Sequence, residues 1–284
     1  MNPLVFALPI FFIAIAFEVW LLHRKKKLAL YDLADALTSA HMGIFMLIFS
    51  VFINVAVYTV VYDNFRLAEW PMDSIVLWVL ALLFYDFCYY WVHRLGHEVS
   101  FVWASHIVHH SSEYYNLSTA MRQTASGKAV VWIFYLPMAV LGVPPAVFGI
   151  VLLIDLLYQF WVHTEQIGKL GWFDRVFCSP SNHRVHHAVN DDYIDKNYGG
   201  ILILWDRLFG TFREETEPCV YGTPGALNSW DPLWANLEVY AALARESWNA
   251  PNWGDKLRAG FKPPGWQRSA MAEAHPKPAF ALDL

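Results

Sequence analysis

Long apolar stretches separated by short polar ones dominate the first half of the chain. About 20 consecutive apolar residues let a helix cross the hydrocarbon core of a bilayer. Candidate spans run over residues 4 to about 22, about 42 to 62 and about 74 to 92. A further stretch, 129–162, is interrupted by Gly142-Val143-Pro144-Pro145. Proline removes a helical donor and its ring clashes with the preceding turn, so this stretch predicts a hairpin of two helices. Its first arm, 129–141, is short for a crossing and is expected to be tilted, re-entrant or tucked against neighbours. After His187 the pattern turns more polar and no span remains; 200–212, apolar with a charged middle, is expected to pack under the preceding segments or lie in the interface. From about Asn249 the chain is rich in Pro, Gly and Ala without periodicity, which predicts a loosely held tail. The prediction is an all-α protein: one membrane-embedded domain, 1–248, with four or five membrane helices including the hairpin and a cytosolic helical cap, followed by a tail, 249–284.

Composition agrees with a membrane protein. Of 284 residues, 56% are hydrophobic, only 16% are charged and 14 are Trp, whereas soluble domains carry about 25% charged residues. The net charge of -5 is modest, and no long basic or acidic run suggests nucleic acid. The one dense basic cluster, His23-Arg24-Lys25-Lys26-Lys27, directly follows the first apolar span and reads as a signal holding that end in the cytoplasm. A cleaved signal peptide fits poorly, because the basic residues follow the apolar run and Glu18 and Trp20 suit no cleavage site. Threading the spans alternately from the lysines brings both His93 and His163 to the cytoplasmic face. Cys88, Cys178 and Cys219 are odd in number, widely spaced and lack a CxxC, against a disulfide framework, zinc ribbon or iron–sulfur cluster.

Nine of the twelve histidines lie at the edges of the apolar stretches, as His93-x-x-x-His97, His106-x-x-His109-His110, a single His163 and His183-x-x-His186-His187. Residues three and four apart share a helix face, so each group can aim two or three imidazoles at one point. Imidazole binds iron, zinc, copper and nickel at neutral pH, and nine nitrogens exceed what one four-coordinate ion needs, which points to two ions. Interfacial anchoring explains a lone histidine but not these groups. A bis-histidine haem needs single histidines on separate spans, and a zinc hydrolase of the HExxH type lacks its motif. His23, His41 and His275 read as ordinary polar positions.

Two cations on neutral imidazoles close to lipid need carboxylates nearby. Asp86 lies seven residues before His93, and Asp155 eight before His163 with Gln159 halfway. Glu98 follows His97, Glu113 follows the second group, and Asp191, Asp192 and Asp195 follow the last, Asp191 and Asp192 reading as a solvated loop. Asp86, Asp155 and Glu98 are the catalytic candidates. Tyr114, Asn116, Arg122 and Gln123, just beyond the second group, are candidates for contact with a lipid head group or a reductant.

Four stretches carry a family resemblance: Tyr85-Asp86-Phe87-Cys88-Tyr89-Tyr90-Trp91, then HIVHHSSEYYNLSTAMRQ (106–123), HTEQIGKLG (163–171) and NHRVHHAVNDDYIDKNYGGILILWDRLFGTF (182–212). Over about residues 28–215 the chain resembles the fatty acid hydroxylase / sterol desaturase superfamily of integral membrane di-iron oxygenases, and within it the members that act on glycerol ether lipids. The resemblance implies two irons held by His93, His97, His106, His109, His110, His183, His186 and His187, with His163 at a further ligand position. It also implies that Glu98 is an acid needed beside the histidines. Where some members carry a second histidine about four residues after the position of His163, this chain reads Thr164-Glu165-Gln166-Ile167, so an open position or one filled by Glu165 is expected. The implied activity is insertion of one oxygen atom from O2 into an unactivated C–H bond of a lipid. A glycerol ether lipid is the first substrate expected, and hydroxylation or desaturation of a fatty acyl, sterol or carotenoid chain the alternative. The implied reductant is a tetrahydropterin or a separate electron-transfer protein, since no G-x-G-x-x-G or haem motif marks a fused donor. A metal transporter or sensor, the rival class, should place its ligands near the midplane and repeat its topology; these ligands lie at one edge and no repeat is visible.

Overall fold

The computed structural model describes residues 3–223 and 231–264, apart from the side chains of 3–7, 47–55, 125, 128 and 129. His275 and the end of the expected tail lie outside the described residues. The described chain is helical, with isolated bridges at Phe177–Leu202 and Ala188–Tyr221 and no strand. Four long helices form the frame: α1 (Pro3–Arg24), α2 (Leu33–Phe65), α3 (Ile75–Glu98) and, later in the chain, α7 (Pro145–Trp161). Between α3 and α7 lie α4 (Ser100–His110), α5 (Ala125–Val131) and α6 (Leu136–Val140). The short helices α8 (Pro180–His187) and α9 (Leu204–Phe209) follow, and then the pair α10 (Pro232–Asn249) and α11 (Trp253–Phe261). Among the described residues, one helix, Ile75–Glu98, is long and apolar enough by length and composition to cross a membrane, and Pro145–Trp161 is a shorter apolar helix.

The second helix starts well before the apolar run that predicts it, because Asp32 accepts a hydrogen bond from the Asp35 backbone N–H at 2.9 Å and caps a polar first turn. The hairpin differs more. Its second arm is the single helix α7, opened by Pro145 at a position where the missing N–H is not needed. Its first arm is broken into α5, a 3-10 turn (Trp132–Tyr135) and α6, and fits around α2 rather than standing free. Gly142 turns the corner with φ +90°, where a Cβ would lie 2.1 Å from the Ala68 carbonyl oxygen, so only glycine fits. The core between α2, α3 and α7 is aromatic: Tyr58 stacks on Phe148 with ring centroids 4.0 Å apart, and Tyr85 on Tyr135 at 4.7 Å.

The tail expectation also needs correction. Residues 253–261 form a capped helix, with Asn252 accepting from the Asp255 N–H at 2.9 Å. Just beyond it the Lys262 carbonyl accepts from the Ser100 N–H at 3.0 Å and its hydroxyl at 2.8 Å. Lys262 thus satisfies an orphan donor at the start of α4, and the Pro- and Gly-rich composition conceals that docking.

Candidate metal centre

Three helices and one loop deliver the nine imidazoles. His93 and His97 occupy the last turns of α3, which continues past its apolar run until Val99, in extended conformation, turns the chain into α4. The last turn of α4 carries His106, His109 and His110, and His163 stands two residues after α7. The third group is on α8, which Ser179 caps and Pro180 opens. Every residue of α8 is buried although only Pro180 and Val185 are apolar, so polar partners must hold it. Asn182 donates to the carbonyls of Asp174 (3.0 Å) and Phe177 (3.1 Å). Arg184 makes a two-pronged pair with Glu215 at 2.8 and 2.7 Å and also donates to the Thr164 and Ile167 carbonyls, joining α8 to the His163 loop.

The side chains meet in two sets. His93, His97, His106, His110 and His186 have ligand nitrogens within 4.8 Å of one another, as do His109, His163, His183 and His187. In the first set the Nε2 atoms of His93 and His106 are 3.0 Å apart, those of His106 and His110 3.1 Å, and those of His110 and His186 3.1 Å. In the second, His163 Nε2 is 3.2 Å from His109 Nε2 and 3.1 Å from His183 Nε2, and His187 Nε2 is 3.2 Å from His183 Nε2.

Backbone carbonyls fix the far side of several rings. His93 Nδ1 meets the Tyr198 carbonyl at 2.8 Å, His109 the Arg122 carbonyl at 3.1 Å, His163 the Gln159 carbonyl at 2.6 Å and His186 the Lys196 carbonyl at 3.0 Å. A carbonyl only accepts, so each Nδ1 bears the proton and each Nε2 presents a lone pair. His109 and His163 therefore turn two bare lone pairs on each other across 3.2 Å, with no proton between them. An imidazolium does not resolve the repulsion: burial holds His163 down to about 4 and, with the neighbouring imidazoles, keeps His109, His110, His183 and His187 well below their ordinary value. A cation shared by the facing nitrogens does resolve it, and imidazole donors suit a first-row divalent metal. His97 shows the same pattern, its Nε2 buried and without a hydrogen-bond partner while Nδ1 lies 3.3 Å from Asp195 Oδ1. The residues fit two metal ions.

The carboxylates take other places than the sequence suggests. Asp86 accepts from the Ile201 N–H (2.6 Å), the Leu202 N–H (3.1 Å) and the Trp205 indole N–H (2.8 Å), tying α3 to the segment after α8. It is absent from both ligand sets, and so is Glu98, whose carboxylate pairs with Arg94 at 2.8 Å on the half-exposed side of α3. Glu165 joins neither set. Asp155 lines a cavity of about 150 Å³ bordered also by His93, His106 and His109, so one space touches both sets. Gln123 lines it too. Arg122, by contrast, is 2% exposed, and its guanidinium bonds Asp35 (3.1 Å), the Val108 carbonyl (3.0 Å) and the Ser111 hydroxyl (3.0 Å), bracing α4 from behind. Asn116 donates to the Leu30 carbonyl at 2.9 Å, and the Tyr114 carbonyl accepts from Ser112 and Thr119. These three organise the loop after α4 from inside the protein. His23 and His41 are exposed, and all three cysteines are free.

Other residues support the histidines from behind. Asp206 is fully buried and accepts from the Tyr198 and Gly199 N–H groups, both at 2.7 Å, holding the loop whose Tyr198 carbonyl orients His93. Asp195 and Asn197 adopt positive φ (both 58°), a geometry Asp and Asn tolerate better than most residues, and this turns Asp195 toward His97. Tyr115 donates to the Val162 carbonyl at 2.9 Å and stacks beside His163. Chain separation from the histidines hides Asp206, whereas Asp195 stands among the acids after the third group and Asp-Lys-Asn at 195–197 is a visible turn signal.

The family model for fatty acid hydroxylase matches residues 78–211, which span all nine histidines. This part of the chain belongs to the fatty acid hydroxylase family. Alkylglycerol monooxygenase of Homo sapiens is 45% identical over 237 residues, 82% of this chain and 53% of the relative, and that of Danio rerio 40% identical over 263 residues, 92% and 59%. An ornithine lipid hydroxylase of Rhizobium tropici is 30% identical over 158 residues, 55% of this chain and 47% of that protein. The chain spans about half the length of the relatives it matches. No solved structure matches it.

Proposed function

We propose that this protein is a membrane-bound di-iron lipid monooxygenase that hydroxylates a C–H bond with O2, and that a glycerol ether lipid is its substrate. The observation that carries the reading is the pair of facing lone pairs on His109 and His163, which a shared cation would reconcile. The relatives named for alkylglycerol and ornithine lipid oxidation supply the substrate class. Iron held by the two histidine sets would bind and reductively activate O2, with electrons from an external donor such as a tetrahydropterin or a separate electron-transfer protein. The chain's own residues do the rest. The carbonyls of Tyr198, Arg122, Gln159 and Lys196 keep four rings in the ligating tautomer. Burial of eight of the nine rings, with His106 half-buried, limits competing water, and the cavity bordered by His93, His106 and His109 presents a substrate carbon to both sets at once.

The same proposal includes several membrane passes through α1, α2, α3 and the α7 hairpin, with the histidines at the cytoplasmic side. The basic run after α1 supports that direction, and large exposed apolar residues such as Ile13, Phe17, Phe65 and Ile75 support lipid contact. The test is lipid profiling of cells expressing the native chain and His109→Ala, with metal analysis and oxygen uptake on the purified protein. Lipid-dependent uptake with two irons, lost in the variant, supports the proposal. A single zinc with no uptake contradicts it.

A further inference from the structure

Glu18 stands inside the apolar run of α1, where a carboxylate is costly unless donors meet it. It is 3% exposed and lies on the buried face of the helix with Phe11 and Leu22, opposite the exposed Ile13, Phe17 and Trp20. Seven residues before it, the Phe11 ring stacks on Phe160 of α7 with centroids 4.2 Å apart. The helix thus reaches Glu18 already packed against the element that ends at His163.

Three donors from three other segments converge on the carboxylate. One oxygen accepts from the Thr164 hydroxyl. The other accepts from the Leu117 N–H at 2.9 Å and the Tyr31 hydroxyl at 2.7 Å. A carboxylate accepts at both oxygens and all three partners donate, so the match is complete. Two of these partners sit beside histidines. Thr164 directly follows His163; its hydroxyl oxygen also accepts from the Gln166 N–H at 3.1 Å, and its carbonyl from Arg184 of α8 at 3.0 Å. Leu117 belongs to the loop that runs from His109 and His110 to Arg122, whose carbonyl orients His109. Glu18 therefore ties together the two segments that bring the rings of His109 and His163 face to face, Nε2 to Nε2 at 3.2 Å. The five-histidine set is held otherwise: its rings come from α3, α4 and α8, and the Tyr198 and Lys196 carbonyls orient His93 and His186.

We propose that Glu18 is a positioning residue for the metal of the four-histidine set, acting through Thr164 and Leu117 to hold His163 opposite His109. This makes α1 part of the framework of the metal centre rather than an anchor alone. It rests on the two-metal reading of the site and deepens it. Glu18 is absent from both ligand sets, so its influence passes through the segments it holds. That influence is selective. A metal joining rings from α4, α8 and the His163 loop tolerates little displacement, because imidazole–metal bonds of about 2.0–2.1 Å set the ring spacing. Loosening the His163 loop costs affinity at the four-histidine set and leaves the five-histidine set near its native affinity.

The test is anaerobic titration of the full-length, metal-stripped protein in detergent with Co(II), whose visible absorption reports each imidazole-bound ion. The native chain should take up two equivalents, and the one lost in His163→Ala marks the four-histidine set. Thr164→Val keeps the shape of the side chain and removes the hydroxyl; Glu18→Gln keeps the length and exchanges an acceptor for an NH2 group. Each should weaken that equivalent about tenfold or more, the scale on which partners behind metal ligands act, and leave the other within about twofold. Thr164→Ser, which keeps the hydroxyl, should hold both within about threefold. An acid that serves stability alone gives another pattern, a lower unfolding midpoint of the metal-free protein with both equivalents weakened alike, and that pattern overturns the proposal. So does an unchanged four-histidine equivalent in Thr164→Val, or a Thr164→Ser variant as weak as Thr164→Val. Should Glu18→Gln fail to fold, the two Thr164 variants decide. A native chain with a single equivalent refutes the two-metal reading and the proposal with it, whereas two native equivalents indifferent to Thr164→Val refute the role of Glu18 alone.

Discussion

Replacing Asp86 by Asn separates a structural role from a chemical one. The carboxylate collects three donors from a segment more than a hundred residues away: Ile201 N–H at 2.6 Å, Leu202 N–H at 3.1 Å and the Trp205 indole at 2.8 Å. Asn keeps one acceptor oxygen and turns an NH2 group toward the remaining N–H groups, so about two charge-assisted bonds are lost. Each is worth about 1.5–3 kcal/mol, which predicts a loss of about 3–6 kcal/mol, well above the roughly 1 kcal/mol of an average substitution. The thermal midpoint in detergent should fall on the order of 10 °C. Activity per folded molecule, measured well below the new midpoint, should stay within about threefold, because Asp86 belongs to neither ligand set. A variant of native stability with turnover abolished would refute the structural assignment.

Three further outcomes follow from the geometry. Burial depresses the histidines in the metal-free fold, so the folded state binds fewer protons than the unfolded one; stability should be complete above about pH 6.5 and decline through the value of about 4 held by His163, by about 1.4 kcal/mol per pH unit for each such ring. Unfolding of chelator-treated protein at pH 7.5 and 5 checks this, and greater stability in acid would contradict it. Glu98→Gln removes only a half-exposed pair with Arg94 and should cost no more than about 0.5 kcal/mol, so loss of turnover in a normally stable variant, measured side by side with the unfolding midpoint, assigns Glu98 a role in the reaction itself. Gly142→Ala puts a Cβ 2.1 Å from the Ala68 carbonyl oxygen at positive φ and should destabilise by more than about 1 kcal/mol, whereas an unchanged unfolding midpoint would mean the hairpin corner is not built as described.

The histidines were legible because their spacing is helical and local: His93 and His97 fall in the last turns of α3, His106, His109 and His110 in the last turns of α4, and the third group on α8. The apolar runs likewise gave α1, α3 and α7, since burial or lipid contact demands continuous apolar faces whatever the tertiary arrangement. What the sequence hid depends on contacts between distant segments. Asp86 shares its helix with His93 but is claimed by the backbone at 201–202, and Arg122, adjacent to a histidine box, is turned inward by Asp35. Asp206 is the charged middle of an apolar segment and Asp195 an acid beyond the third histidine group, and only the closure of 190–200 around His93, His97 and His186 gives them their work. The helix at 253–261 was missed because its nine residues sit in a Pro- and Gly-rich stretch and are secured by α4 rather than by their own periodicity.

The most direct measurement is metal stoichiometry on the anaerobically purified chain, read by elemental analysis and X-ray absorption for the native protein and for His163→Ala. The account predicts two metal equivalents in a nitrogen-rich environment for the native chain and about one for the variant, the five-histidine set keeping its ion. A native chain that binds a single equivalent, or a variant that keeps both, would contradict it.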